Sequence, residues 1–341
     1  MSIPQRIAPS AEVLRDFYLG KDAHDVPRPA AVLDVAKIRR HCQSMLDAVE
    51  SLGVGFRAHV KTHKTKEVAR LQAGEKSQEV NFIVSTVAEI EHLLPVFDDL
   101  KQAGRRVNVL YGVPLPGSQV VRLAALSKHL GRNGLAVIVD HPSQLESVGR
   151  LRELGGFPVG VFLKVDTGYH RAGLPPAALN KGGAAGTARP ARCRGQGDPF
   201  GAVLPQQPEL QRHDGRPGDA QPGRRDRGAL HAHADLLLSR GPREITVSVG
   251  ASPQVTSIEN LTARAEGGPG EQRLRAAIST VMAGAEAREG LRPKLELHAG
   301  VYSVLDMQQV STRSRTSLGG YEDEVAITVA ADSAGDYEIA H

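Results

Sequence analysis

Residues 56–61 alternate in a way that sets chemistry on one face of a short strand. Phe56, Ala58 and Val60 fall on one side, and Arg57, His59 and Lys61 share the other. Three cations on one face of an otherwise buried strand are unfavourable unless something anionic or reactive meets them. A lysine held among cations and partly desolvated gives up its proton more readily, and its free amine can form a Schiff base with a carbonyl. A solvated basic strand end accounts for the same spacing, so spacing alone leaves both readings open. Lys61 is the candidate nucleophile and His59 the neighbour that tunes it; Lys64 lies past the strand and reads as a solvent-side cation.

Two further strings could serve the same site. Gly250-Ala-Ser-Pro253 follows an apolar run and offers backbone N–H groups and one hydroxyl, which suits an anion, although such strings also make ordinary turns. Asp166-Thr-Gly-Tyr-His-Arg171 follows another strand end, where Arg171 either approaches a ligand or braces the loop through Asp166. His231-Ala-His233 is read as incidental, and no metal ligands are assigned.

The elements that must position these residues recur regularly. Apolar, β-branched runs occupy Phe56–Val60, Asn81–Ser85, Val107–Gly112, Leu135–Asp140, Val159–Asp166, Ile245–Gly250 and Leu295–Gly300. The first five are spaced by roughly 25 to 28 residues, the length of a βα unit in a parallel barrel. Helices fit between them: Thr86-Val-Ala-Glu89 is a capping box, followed by an apolar stripe at Val87, Ile90, Leu93 and Leu94. Similar periodicity spans Val120–Leu130 and Gln144–Leu154.

A closed eight-stranded barrel needs one more stave, and the gap lies within residues 181–240. That stretch is roughly 40% Gly, Pro and Arg, with no Ile, Met or Tyr and a single Val. It contains no convincing strand, and residues 181–243 read as disordered or as an out-of-frame translation. The chain has 341 residues and a net charge of +4. The charge surplus falls in residues 181–240, where 10 Lys and Arg face 6 Asp and Glu, so the rest is balanced. With no basic stripe and few aromatics, a nucleic-acid partner is not expected. No apolar run approaches the roughly 18 residues of a membrane span. Two distant cysteines, Cys42 and Cys193, point to a reducing, cytoplasmic compartment.

Taken in order, the motifs resemble those of the D-serine dehydratase and D-threonine aldolase family, particularly its fungal D-serine dehydratase branch. Arg57–Lys64 closely resembles that family's Arg-Pro-His-x-Lys-Thr-His-Lys signature. Pro29-Ala-Ala-Val-Leu-Asp34 is similar to its opening strand and Lys164–Gly173 to its Asp-x-Gly-x-x-Arg-x-Gly motif. Ser248–Gln254 resembles its phosphate loop, and Leu297–Tyr302 its closing cofactor contact.

The resemblance implies an α/β fold, a (β/α)8 TIM-type barrel of the alanine racemase N-terminal type, with pyridoxal 5'-phosphate as cofactor. It divides the chain into an N-terminal arm (1–27), the barrel (28–300) and the start of a truncated C-terminal β-domain (301–341), with Val301–Gln308 and Glu324–Asp332 as strands. It assigns Lys61 as the Schiff-base lysine and α-proton base, with His59 beside it. Arg171 would face the pyridine nitrogen, Gly250 and Ser252 would cradle the phosphate, and Gly300 and Val301 would add backbone contacts. The implied reaction converts D-serine to pyruvate and ammonia, with zinc assisting departure of the hydroxyl. D-threonine aldolase and a non-catalytic pyridoxal phosphate-binding pseudoenzyme are the alternatives. Two family features are missing: no tyrosine lies between Tyr169 and Tyr302, and no C-terminal His-x-Cys or His-x-Asp pair supplies zinc ligands. These departures lead to the expectation that the chain as written is inactive. The expected partner is a small D-amino acid; a homodimer is implied by the family, though a truncated β-domain would weaken it.

Overall fold

The computed structural model describes residues 9–166, 172–174, 200–204, 243–250, 272–280, 291–313 and 318–332, with single positions 255, 258 and 283 besides. A helix, α1 (Ala11–Tyr18), precedes a short strand, β1 (Ala30–Leu33), and a long helix, α2 (Val35–Leu52). The sequence marks both ends of α2. Asp34 caps it by accepting from the Lys37 N–H at 3.0 Å, and Gly53 ends it at φ +65°.

Eight parallel strands then close a barrel. Their order is β2 (Gly55–His59), β3 (Glu79–Val84), β4 (Arg106–Pro114), β5 (Leu135–Val139), β6 (Gly160–Lys164), β7 (Phe200–Leu204), β8 (Arg243–Val249) and β9 (Leu291–Ala299), with β9 pairing back to β2. The helices α3 (Lys66–Ala73), α4 (Val87–Gln102), α5 (Val120–Leu130) and α6 (Gln144–Gly155) fall between strands β2 and β6. Seven of the eight staves stand where the apolar runs predict them. The α4 cap forms as its spacing implies: Thr86 Oγ1 accepts from Glu89 N–H at 3.2 Å. Its reciprocal arm is displaced by one residue, because the Glu89 carboxylate accepts from Ser85 N–H at 2.8 Å.

The eighth stave corrects the expectation that residues 181–240 hold no strand. Phe200–Leu204 pairs with β6 through Val161–Lys164 and with β8 through Ile245–Val249. Five residues suffice because both neighbours present complete rows of N–H and C=O groups that need partners. The composition of the surrounding 60 residues hides this short apolar run, which includes the only valine of that stretch, Val203.

Two apolar layers follow from strand alternation. Ala58, Val60, Phe82, Val84, Val109 and Val137 pack outward against α3 to α6. Ile83, Leu110, Ala136, Ile138 and Phe162 face inward and fill the lumen beside β3 to β6. On the opposite side, by β2, β8 and β9, the lumen is polar.

The Pro29–Asp34 run lies outside the barrel. β1 pairs antiparallel with β10 (Ile327–Ala330), Ala30 opposite Ala330. The strand expected over Val301–Gln308 does not form. Val301–Ser303 is a 3-10 turn and Met307–Ser311 a short helix capped by Asp306. Local bonds prevail there: Val304 N–H and Leu305 N–H both donate to the Val301 carbonyl, and the turn buries Tyr302 edge-on against Phe56 at 5.6 Å. Segment 303–324 is tied to α2 through buried His41, whose ring nitrogens lie 3.2 Å from the Ser303 carbonyl and 2.8 Å from the Glu324 carboxylate.

Candidate active site

The face of β2 that carries cations turns into the lumen, and Arg57 finds the anion its burial demands. Arg57 is 3% exposed and Glu296 of β9 is 1% exposed. Their contact is bidentate: Nε donates at 2.7 Å and Nη2 at 3.2 Å to the two carboxylate oxygens. Arg57 Nη1 also donates to the Phe82 carbonyl at 3.0 Å and to Asn108 Oδ1 at 2.8 Å, and its guanidinium sits 5.3 Å from the Phe162 ring. Asn81 Nδ2 gives Glu296 a further bond at 3.1 Å. With its charge and its donors met, Arg57 is a pillar of the lumen floor rather than a ligand-seeking cation.

The network climbs from the floor to the strand ends. Ser248 of β8 donates to Glu296 Oε1 at 2.8 Å, and its oxygen lies 3.1 Å from His298 Nδ1. Because the hydroxyl proton is committed to the carboxylate, His298 donates from Nδ1 and keeps its lone pair on Nε2. Burial pushes the His298 pKa down to about 4; Glu296 opposes that shift, and Arg57, Lys164 and Lys61 add to it.

His59, at the end of β2, is pushed down to about 3, first by burial and then by the charges of Lys61, His298 and His63. Its Nδ1 accepts the Lys61 N–H at 3.3 Å, so the proton of the neutral ring is on Nε2. Two neutral imidazoles therefore stand at the C-terminal rim, the end where barrel chemistry is done.

Lys61 begins the turn just past β2. It is exposed, contrary to the partly desolvated side chain expected from the strand pattern, because the strand ends at His59 and the turn carries the lysine out onto the rim. His63 Nδ1 accepts from Thr65 N–H at 3.0 Å and its Nε2 donates to Gln72 at 3.0 Å, joining the turn to α3.

Gly250 and Gly300 end two adjacent strands at the same rim, and each is required by close approach. A Cβ on Gly250 would lie 2.0 Å from the His298 carbonyl oxygen, and one on Gly300 2.8 Å from that of His59. Val301 starts the 3-10 turn after Gly300. Just past β6, Asp166 N–H donates to the Leu174 carbonyl at 2.9 Å and Gly173 N–H to the Asp140 carboxylate at 3.1 Å. Arg171 and Ser252 lie outside the described residues, as do Tyr169, His231 and His233.

The structure thus brings Lys61, His59, Gly250, Gly300 and Val301 to one rim. Sequence reasoning missed Glu296 altogether, and it placed Ser248 and His298 in motifs of the site without assigning their side chains a part in it. Their signal was present, since polar side chains at every second position of an apolar strand must face something polar. Among the described residues, no group of three or more His, Cys, Asp or Glu side chains is placed to hold a metal ion.

The chain that folds into this eight-stranded parallel barrel also matches a known family. Residues 33–265 match the alanine racemase N-terminal domain. The chain belongs to that family. Within it, 169 residues are 38% identical to D-serine dehydratase of Schizosaccharomyces pombe, covering 48% of this chain and 38% of that protein. Over 170 residues it is 34% identical to D-serine dehydratase of Saccharomyces cerevisiae, covering 46% of this chain and 39% of that one. The chain therefore aligns with about two-fifths of these relatives' length. D-threo-3-hydroxyaspartate dehydratase from Delftia sp. HT23 shares the fold, with a TM-score of 0.55 and 22% identity over 89% of this chain and 67% of that chain. So does D-threonine aldolase from Filomicrobium marinum, with a TM-score of 0.57 and 20% identity over 90% of this chain and 69% of that one.

An alanine racemase-type barrel with an exposed amine at its rim fits a pyridoxal phosphate family, while Gly250 and Gly300 are required there by backbone contact between neighbouring strands.

Proposed function

We propose that this chain is the cofactor-binding barrel of a pyridoxal phosphate-dependent lyase that eliminates water from D-serine, giving pyruvate and ammonia. The observation that carries the reading is the exposed Lys61 at the rim, bracketed by a neutral imidazole and by glycine strand ends. Support for the substrate comes from the names of the fungal relatives at 38% and 34% identity. Bound pyridoxal phosphate supplies the electron sink that acidifies the α-hydrogen of an amino acid.

The protein's own groups would hold the cofactor and move the α-proton. Lys61 Nζ would anchor the cofactor and take the α-proton. His59 holds the Lys61 backbone N–H at Nδ1 and, being neutral, adds no positive charge beside the amine. Backbone N–H groups at Gly250, Ser252, Gly300 and Val301 would receive the phosphate, with the Ser252 hydroxyl as a side-chain donor. Arg171 would address the pyridine nitrogen, as the family resemblance implies. Arg57, Glu296 and Ser248 hold the His298 ring in one tautomer below the site. The described residues offer no donor set for a zinc ion.

The same reading takes α2 to Gly300 as the barrel unit, in place of the expected 28–300, and gives β1 together with β10 to the β-domain. It puts the chain in the cytoplasm, since its cysteines do not call for an oxidising compartment. Among the described residues, no helix is long and apolar enough to cross a membrane. Homodimer formation belongs to the same reading.

The test is direct. Purified chain is mixed with pyridoxal phosphate, reduced with borohydride and mapped by mass spectrometry; pyruvate release is then followed with D-serine, L-serine and D-threonine. Cofactor fixed on Lys61 and pyruvate from D-serine alone is the expected result. Glycine and acetaldehyde from D-threonine would favour the aldolase, and fixed cofactor without any turnover the pseudoenzyme. No cofactor on Lys61 would end the proposal.

A further inference from the structure

The turn that carries Lys61 is held from outside the rim by a side chain with no role in the chemistry above. His63 is part-buried, and both of its ring nitrogens are engaged. Nδ1 accepts from Thr65 N–H at 3.0 Å and lies 3.2 Å from Thr65 Oγ1; Nε2 is 3.0 Å from Gln72 Oε1. A backbone N–H can only donate, so Nδ1 carries the lone pair and Nε2 the proton, which Gln72 accepts. Gln72 is 1% exposed on α3, so this anchor does not move freely. Thr65 itself caps α3, its hydroxyl accepting from Val68 N–H at 3.4 Å.

The backbone between these anchors is strained. Lys64 adopts φ +54°, a left-handed conformation that L-residues other than Asn and Asp rarely take. Val60 holds the near end: its N–H donates to the Ile83 carbonyl at 3.1 Å, and its own carbonyl accepts from His63 N–H at 3.2 Å and Lys64 N–H at 2.8 Å. The turn from Lys61 to Lys64 is therefore pinned to the barrel at Val60 and to α3 at His63. A strained turn persists only where its surroundings hold it.

We propose that His63 is a positioning residue for Lys61, a neutral imidazole clamp that joins the Thr65 amide to Gln72 and keeps the amine of Lys61 at the rim. This rests on the reading of Lys61 as the cofactor lysine. The clamp needs the acceptor at Nδ1 most, because without it Thr65 N–H loses its partner and the left-handed turn loses its restraint. Asparagine can place Oδ1 where Nδ1 now sits, whereas alanine cannot.

The experiment compares His63→Ala, His63→Asn and wild type in the full chain. Pyridoxal phosphate affinity is titrated by absorbance, amide exchange at Thr65 is followed separately, and urea unfolding monitors the fold. His63→Ala should weaken cofactor binding about tenfold and speed Thr65 exchange about tenfold, the size expected for one lost hydrogen bond with its restraint. His63→Asn should recover most of both. Equal affinity and exchange in all three proteins would overturn the proposal. So would a loss in His63→Ala that merely follows the unfolding midpoint and that His63→Asn fails to recover. If His63→Ala does not fold, Gln72→Leu replaces it, since it removes the other end of the clamp and should loosen Thr65 exchange in the same sense. If wild type binds no cofactor on Lys61, the Lys61 reading fails, and Thr65 exchange still decides whether the clamp exists.

Discussion

Lowering the pH from 7.5 to 5.0 should destabilise this barrel by about 4 kcal/mol through two histidines. Their ordinary value is 6.5; in the folded chain His59 is pushed down to about 3 and His298 to about 4, burial being the first cause for each. The unfolded chain therefore binds more protons than the folded one between pH 6.5 and these lower values. Stability present above pH 6.5 is lost as the pH falls through that window. At pH 5.0 the unfolded imidazoles are about 1.5 pH units below their midpoint, while the folded ones have hardly begun to titrate. Each site thus contributes about 2 kcal/mol of destabilisation, set mainly by the unfolded value. His41 and His63 are also shifted down by burial and act in the same direction. Asp34, lowered from 3.8, and Glu79 and Glu324, lowered from 4.5, withdraw their stability only at still lower pH. The assay is urea unfolding of cofactor-free protein at several pH values between 5.0 and 7.5, with His59→Asn as the control. The variant should lose about 2 kcal/mol of the pH dependence. Equal unfolding free energies at pH 5.0 and 7.5, or an unchanged slope in His59→Asn, would refute the neutral-imidazole rim.

Five other variants probe the scaffold and the rim. Glu296→Ala strands Arg57 without its carboxylate at 3% exposure, and urea unfolding should show a loss of about 3–5 kcal/mol. Replacing both partners together with Met at 57 and Leu at 296 should recover most of that loss, because no unpaired charge is left behind. Gly250→Ala must displace the His298 carbonyl and Gly300→Ala that of His59, so both should reduce pyridoxal phosphate affinity at least tenfold in absorbance titrations, about 1.4 kcal/mol or more. Val203→Pro removes a ladder donor from a strand paired on both sides; circular dichroism during urea unfolding should show a loss on the order of 3 kcal/mol.

The sequence by itself determined the staves whose apolar runs are long enough to be read locally, and a cap between them, Thr86 before α4. It also placed Lys61 at a strand exit, since alternation along Phe56–Val60 needs no knowledge of the rest of the chain. Only the tertiary structure decided what that face meets. Arg57 and Glu296 are 239 residues apart in sequence and become partners because β9 closes on β2. Phe200–Leu204 is a stave because β6 and β8 leave a row of backbone groups to satisfy, a demand invisible in its own composition. The turn at Val301–Ser303 replaced an expected strand because burying Tyr302 against Phe56 required the chain to bend there. Local periodicity reports what a segment can form; closure of the barrel sets which polar groups share its lumen and which imidazoles lose their water.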